Sequence, residues 1–253
     1  MTTGLDEQAF SVFLLFCRIG GCLLLAPGFS SPRIPVHIRL FGALALIAAM
    51  SPVLSEDVQS MIHEIPEDQM LLLIVHETVI GAAIGLMARF FILALQFSAT
   101  AISNFIGLAG IPGVPLEEGD TGSPLATLVS SAAITLFFIL GLHIELIKAI
   151  IESYHVLKPG AGLPIGALMS NMLNVLSEAW LLALRLASPF LLYGVTVNFA
   201  LGLGNRFAQQ VSMYHATTGA VILGGFLLFY AVWMDWILTF VSRYQSWLMA
   251  GGF

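Results

Sequence analysis

The sequence predicts an all-α membrane protein, because it is too poor in charge and too rich in long apolar stretches for a soluble fold. Of its 253 residues 58% are apolar and only 9% are charged, whereas soluble domains carry about 25% charged residues. This amount of charge is too small to cover the surface of a globular protein in water. The apolar stretches are therefore predicted to be about six long helical segments in a membrane. The net charge of −6 argues against nucleic acid as a partner.

The predicted helices differ widely in length. In chain order they are expected at about residues 9–26, 40–54, 70–105, 125–147, 179–201 and 216–241. The second, with about 15 residues, would span roughly 22 Å, and the third roughly 54 Å, against a hydrocarbon core of about 30 Å. Alternating the sides of six crossings also divides the basic residues evenly, so the positive-inside rule gives no orientation for the whole chain. This pattern does not describe six simple spans and indicates a chain whose position depends on partners.

The loop at residues 106–124 lies between two of the most apolar segments. Its five glycines and three prolines exclude a continuous helix or a central strand. The first half is apolar, with Leu108, Ile111, Val114 and Leu116, and the second half is acidic. One interpretation is that the loop packs inside something and that the flanking helices place it there. The other is an ordinary connection whose apolar residues lie on the membrane surface.

Five charged residues lie well away from the ends of predicted apolar helices: Arg18, Glu77, Arg89, Arg185 and Asp235. Each would cost about 2.5–3.5 kcal/mol at the centre of a bilayer, so these side chains should face protein or water. Glu77 and Arg89 are twelve positions apart on one helix, too far for a direct pair, so we expect their partners on other helices or other chains. A proton or ion path and salt bridges within an assembly both remain open. The second is favoured, because a relay needs several aligned acids and only two, Glu77 and Asp235, lie well away from the ends of the predicted helices.

A small-residue motif, Gly81-Ala-Ala-Ile-Gly85, lies on the third predicted helix. Two glycines four positions apart allow the backbone of another helix to approach closely. The second predicted helix is rich in alanine, and the two features together indicate tight contact between helices.

Sequence motifs for catalysis are incomplete. His76-Glu77 is not followed by the second histidine of a zinc-protease motif, and no phosphate-binding loop of the Walker type is present. The two cysteines, Cys17 and Cys22, do not have the spacing of a redox or metal pair and are expected to pack in a core. We therefore predict no enzyme, and no catalytic, cofactor-binding or metal-binding residues.

Five pieces of the chain match a known family in order and spacing, although none of them is diagnostic alone: residues 18–21 with 26–35, 77–85, 106–124, 141–143 with 153–157, and 197–206. In these segments the chain resembles the FliR family of flagellar export-gate proteins, whose counterpart in virulence type III secretion is the SctT family. The flagellar branch is the more similar of the two. The chain departs from the family pattern at Phe207-Ala-Gln-Gln-Val-Ser212, where relatives often have a proline, so the shape of this turn is not carried over.

The resemblance implies one subunit of a hetero-oligomeric helical assembly, with bent hairpins that rise above the bilayer plane. The implied partners are FliP-like and FliQ-like membrane subunits, FlhB-like and FlhA-like export components, membrane lipid and unfolded export substrates. The implied location is the bacterial inner membrane, in the flagellar basal body, where such proteins close the gate ring. Residues 1–178 would form a FliP-like part and residues 179–253 a FliQ-like hairpin.

The resemblance also assigns the loop a role as a plug in the central channel. The residues to which the resemblance assigns this role are Ile106, Gly107, Leu108, Gly110, Ile111, Pro112, Gly113, Val114, Pro115 and Leu116. The alternative function is a self-contained solute or ion transporter. Transporters usually contain internal repeats with paired broken helices, and no such repeat relates residues 9–108 to residues 125–241.

Overall fold

The computed structural model describes residues 2–31, 34–62, 66, 69–108, 124–160, 162–207 and 213–250. Within these ranges the chain folds into α-helices without a strand, which confirms the all-α prediction. The helices are α1 (Thr2–Leu25), α2 (Val36–Ile62), α3 (Met70–Phe105), α4 (Pro124–Ile139), α5 (Leu142–Val156), α6 (Ile165–Phe207) and α7 (Met213–Met249).

Four of these helices are long and apolar enough to cross a membrane. The stretches that meet this criterion are Gln8–Leu25, Met70–Phe105, Ile165–Phe207 and Thr217–Met249. The pair α4 and α5, bent by 69°, would be a fifth span if it crosses as one. The lengths and apolar composition of the described helices therefore fit a membrane protein.

The second helix is longer than predicted. It begins directly after Pro35, whose carbonyl oxygen accepts hydrogen bonds from the N–H groups of Ile38 and Arg39 at 3.0 and 3.3 Å. Proline suits this position because its missing N–H would have no partner in the first turn. The expected short helix at residues 40–54 is wrong, since α2 has 27 residues. Only its first part, Val36–Pro52, is apolar, and the polar residues beyond form helix at little extra cost.

Helix α3 has its predicted bounds, whereas α6, which corresponds to the fifth predicted helix at residues 179–201, is much longer than expected. α3 runs unbroken over 36 residues, roughly 54 Å. α6 has 43 residues, roughly 65 Å, and begins at Ile165 rather than near residue 179. The stretch between Gly166 and residue 179 mixes apolar and polar residues and contains no Gly or Pro. It therefore continues the helix rather than forming a separate segment.

The predicted helix at residues 125–147 is divided in two. α4 ends at Ile139 and α5 begins at Leu142. Between them Gly141 has φ +70°, a left-handed conformation that only glycine adopts at little cost. The prediction of one continuous helix is wrong, because this glycine permits the bend.

The chain forms two compact units. Unit 1 comprises residues 1–90, 137–176 and 246–253, and its core includes Leu14, Ile84 and Ile150. Unit 2 comprises residues 91–136 and 177–245, and its core includes Ile102 and Phe190. The division into a FliP-like part at residues 1–178 and a FliQ-like hairpin at residues 179–253 concerns kinship with other subunits and stays a prediction.

In unit 1 the backbones of α1 and α3 are in direct contact. A Cβ atom added to Gly81 would overlap the backbone carbonyl of Arg18, and one added to Gly85 would overlap that of Cys22. The small-residue motif therefore faces α1 rather than the alanine-rich helix α2.

Two adjacent glycines on α1 provide a matched test of this crossing. A Cβ on Gly21 would lie 2.7 Å from the carbonyl oxygen of Thr78, whereas the nearest atom to a Cβ on Gly20 is 4.0 Å away. Gly21→Ala should lower the thermal unfolding midpoint of the chain in detergent, because α1 and α3 must separate. Gly20→Ala should leave it unchanged or raise it, since alanine favours helix by about 1 kcal/mol over glycine. Equal midpoints for the two variants would contradict the close approach.

Candidate functional site

A fully buried ion pair joins α1 to α3 in unit 1. The exposed fractions of Arg18 and Glu77 are 0% and 1%. The Nε of Arg18 donates to Oε2 of Glu77 at 2.6 Å, and its Nη2 donates to Oε1 at 2.8 Å. One planar guanidinium thus bonds both carboxylate oxygens, the geometry that gives the strongest charge-assisted pairs. The sequence predicts that both side chains avoid lipid but not that they pair with each other, because they are 59 positions apart.

The same guanidinium also reaches α5. Its Nη1 donates to Oγ of Ser153 at 3.0 Å, and its Nη2 donates to the backbone carbonyl of Leu157 at 2.8 Å. Its Cζ lies 3.9 Å from the centre of the Tyr154 ring, a cation–π contact. Leu157 follows the last residue of α5, where carbonyl groups lack partners within the helix and carry partial negative charge. Arg18 therefore ties α1 to α3 and to the carboxyl end of α5.

The residues contributed by α5 were not predicted as site residues. Ser153, Tyr154 and Leu157 belong to residues 153–157, which support the family resemblance. The polar side chains of a serine and a tyrosine in the apolar face of an amphipathic helix were the available signal. The approach of α5 to α1 is a tertiary feature that local sequence does not reveal.

The chemistry of this cluster favours a structural role over an ion or proton path. A path needs groups that water or further acids can reach, whereas Arg18, Glu77 and Ser153 are all buried. The positive charge is balanced by the carboxylate, and two further N–H groups of the guanidinium donate to a hydroxyl and a carbonyl. Pairing with these additional hydrogen bonds is what offsets the several kcal/mol that burial of each ion costs.

The other three predicted charges have different surroundings. Arg89 on α3 is half-buried, while Arg185 on α6 and Asp235 on α7 are exposed in the single chain. None of the three forms a salt bridge within the part of the chain that the structure describes. Their predicted role in contacts with other helices or subunits stays a prediction.

The predicted plug is described only at its start. Ile106, Gly107 and Leu108 are described, whereas the predicted plug residues at positions 110–116 lie outside the described residues. Ile106 is fully buried, and its N–H donates to the carbonyl of Ile102 at 3.0 Å. Gly107 has φ +80°, a left-handed conformation that commonly follows the last residue of a helix. The loop therefore leaves α3 from a buried and well-defined point.

Substitutions of Arg18 test whether the buried pair stabilises the fold. Arg18→Lys should lower the free energy of unfolding by up to about 3–5 kcal/mol, because one ammonium cannot replace a fork bonded to two carboxylate oxygens, a hydroxyl and a carbonyl. Arg18→Met should cost at least as much, since it leaves the Glu77 carboxylate buried and unpaired. Arg18→Met combined with Glu77→Met should be less harmful than Arg18→Met alone, because both charges are then removed. Unfolding in detergent measures all three.

The matched control is the exposed pair Lys148–Glu145 on α5. Its Nζ–Oε1 distance is 2.8 Å, and the Lys148 side chain is 62% exposed. Lys148→Ala should change the free energy of unfolding by no more than about 1 kcal/mol, because water screens an exposed pair. If Arg18→Lys is no more harmful than Lys148→Ala, the buried pair does not stabilise the protein as described.

Comparison with known proteins identifies the family. The family model described as "Bacterial export proteins, family 1" matches residues 9–246. The chain is 28% identical over 225 residues to the flagellar biosynthetic protein FliR of Caulobacter vibrioides, covering 87% of this chain and 88% of that protein. It is also 28% identical over 203 residues to FliR of Escherichia coli K12, covering 78% and 74% of the two chains.

A relative from virulence secretion is also similar. The chain is 27% identical over 157 residues to the Yop proteins translocation protein T of Yersinia pestis, covering 60% of this chain and 59% of that protein. These findings confirm the resemblance to the FliR family and to the related SctT family. Since the family model spans nearly the whole sequence, this chain belongs to family 1 of the bacterial export proteins.

Proposed function

We propose that this chain is a subunit of the flagellar type III export gate, where it closes the gate ring and contributes a plug to the channel for unfolded proteins. Its family and its long apolar helices make it a membrane-embedded component of bacterial protein export. The proposal adds a position in the gate and a role for one loop. The family membership favours this function over the alternative, a self-contained transporter.

The observation that best supports the proposed plug role is that the loop begins at a buried point, at Ile106 and Gly107. A segment that blocks a channel has to begin from a fixed point, because a loop with a variable origin would leave the channel open part of the time. Fully buried Ile106 and left-handed Gly107 provide such a point at the end of α3. The proposal places the remaining loop residues, up to residue 124, in the channel.

The composition of the loop suits a reversible seal. Its apolar half would displace water from an apolar constriction, which contributes about 25 cal/mol per Å² of buried area. A seal of a few hundred Å² would therefore contribute several kcal/mol. The acidic half, with Glu117, Glu118 and Asp120, favours water, so an entering polypeptide can displace the seal.

The surfaces of α6 and α7 support a role within an assembly. In the most apolar stretch of each helix, only 22% of the residues of α6 and 11% of those of α7 are buried, compared with 61% for α3. Arg185 and Asp235 are exposed on these two helices, and lipid is a costly environment for a charged side chain. Contact with other membrane subunits would keep both charged side chains away from lipid and so remove this cost. In our proposal these are FliP-like and FliQ-like subunits, with FlhB-like and FlhA-like export components, in the bacterial inner membrane at the flagellar basal body.

Deletion of residues 110–119 tests the plug. The complex with its partner subunits should assemble but conduct ions and small solutes, because the segment proposed to seal the channel is missing. A control chain replaces the same ten residues with glycine and serine, which keeps the connection between α3 and α4 but removes the apolar seal. It should also leak. The measurement is conductance of the purified complex in a planar bilayer.

A tight complex with either loop variant would show that the loop is only a connector. If the deletion leaks and the glycine–serine replacement does not, the length of the connection matters and the apolar residues do not. Either result would contradict the proposed seal.

Arg185 and Asp235 give a second test, because partner contact and lipid contact predict opposite effects. If partner subunits contact these charges, Arg185→Leu and Asp235→Leu should reduce the amount of partner that co-purifies with the chain. If the charges face lipid, their removal should improve membrane insertion, by about 2.5–3.5 kcal/mol each at the bilayer centre. Higher recovery of the complex from both variants would therefore contradict the assignment. Glu152→Leu, at an exposed position on α5, controls for the loss of a charge.

A further inference from the structure

In unit 2 the end of α3 fits against α6 and α7 at two glycines. A Cβ atom on Gly194 of α6 would lie 3.1 Å from both Cβ and Cδ1 of Phe105. A Cβ on Gly225 of α7 would lie 2.5 Å from both Cβ and Cγ2 of Ile106. Two consecutive residues at the start of the loop are therefore held by two different helices. Each helix has no side chain at the point of contact.

A tyrosine links the same two helices at this level. The hydroxyl of Tyr193 on α6 donates to the backbone carbonyl of Val221 on α7 at 2.6 Å. Its oxygen also lies 2.5 Å from where a Cβ on Gly224 would be. The hydrogen bond from Tyr193 thus fixes the distance between α6 and α7 next to the two glycines that contact Phe105 and Ile106.

Other glycines on the same helices have no such contacts. A Cβ on Gly202 of α6 or on Gly219 of α7 would meet nothing within 4 Å. Both residues are exposed. The close fit is therefore specific to the level of the loop start and is not a general property of glycine in these helices.

We propose that Tyr193, Gly194 and Gly225 are positioning residues that hold the loop stem, residues 105–107, so that the separation of α6 and α7 sets where the loop begins. Close-packed contacts of this kind transmit displacements because they contain no spare volume. A partner that moves α7 relative to α6 would therefore also move the stem. The consequence for channel leakage rests on the proposed function, whereas the positioning itself does not.

Gly225→Val tests the proposal, with Gly219→Val as its matched control. Both substitutions place a valine on α7, but only the first meets the stem. Ordinary carbon–carbon contacts are about 3.5–4.0 Å, so the valine at position 225 must displace Ile106 by roughly 1 Å or more. Gly194→Val and Gly202→Val form the corresponding pair on α6. Tyr193→Phe removes only the hydroxyl that bonds Val221.

The readout is the rate at which a maleimide reagent labels Leu108→Cys in the assembled complex. Leu108 is the first side chain beyond the stem and is half-buried. The native cysteines, Cys17 and Cys22, are buried, and the chain without Leu108→Cys gives their background. We expect a several-fold change in rate with Gly225→Val and Gly194→Val, a smaller change with Tyr193→Phe, and none with the two control variants.

Unchanged labelling in an assembled Gly225→Val complex would overturn the positioning role. If the valine variants prevent assembly, Gly194→Ala and Tyr193→Phe decide the question, and unchanged rates in both would equally overturn it. Conductance of the same complexes separates this inference from the proposed plug. A changed labelling rate in Gly225→Val, together with a tight complex after deletion of residues 110–119, supports positioning and contradicts the plug. A leak after deletion of residues 110–119, with unchanged labelling in Gly225→Val, supports the plug and contradicts positioning.

Discussion

The buried pair of Arg18 and Glu77 is the interaction on which the arrangement of unit 1 depends. A charge in an apolar helix is tolerated only where protein replaces the hydration it has lost. Here the replacement comes from two other helices, because the guanidinium of Arg18 on α1 bonds Glu77 of α3 and both Ser153 and Leu157 at the end of α5. The pair therefore fixes the mutual positions of α1, α3 and α5. If any of these helices moved away, a buried charged or polar group would lose its partner.

The close crossing of α1 and α3 makes this pair geometrically feasible. Gly81 lies one turn after Glu77, so the two residues share a face of α3. The backbone of Arg18 rests against Gly81 while its side chain extends to Glu77. Two features that the sequence analysis treated separately, the buried charges and the small-residue motif, thus form one contact. A larger residue at position 81 would push α1 away from the carboxylate that it must reach.

The sequence was sufficient for the helical class, for α3 and for the expectation that Arg18 and Glu77 avoid lipid. Each of these follows from local composition, whether from apolar length, from the absence of Gly and Pro after Leu86, or from the cost of a charge in a bilayer. The pairing of Arg18 with Glu77 depends on contacts between distant segments, which one sequence does not show. The end of α2 and the start of α6 were missed because a stretch with polar residues but without Gly or Pro can continue a helix at modest cost. The bend at Gly141 was missed because a single glycine in an apolar helix is often tolerated.

In unit 2 the close contacts at glycine are made with the loop stem, whereas in unit 1 they are made between the two long helices α1 and α3. Its helices α6 and α7 leave most of their apolar surface exposed, while their contacts with Phe105 and Ile106 are close. This combination is consistent with the proposed function, in which partner subunits would complete the chain and its loop would enter a shared channel. A photo-crosslinking residue in place of Val114, in a complex stalled with an unfolded export substrate, measures directly whether that segment lies on the export path. We expect covalent adducts between position 114 and the substrate. Their absence, in a complex where the stalled substrate cross-links to other subunits, would contradict the account.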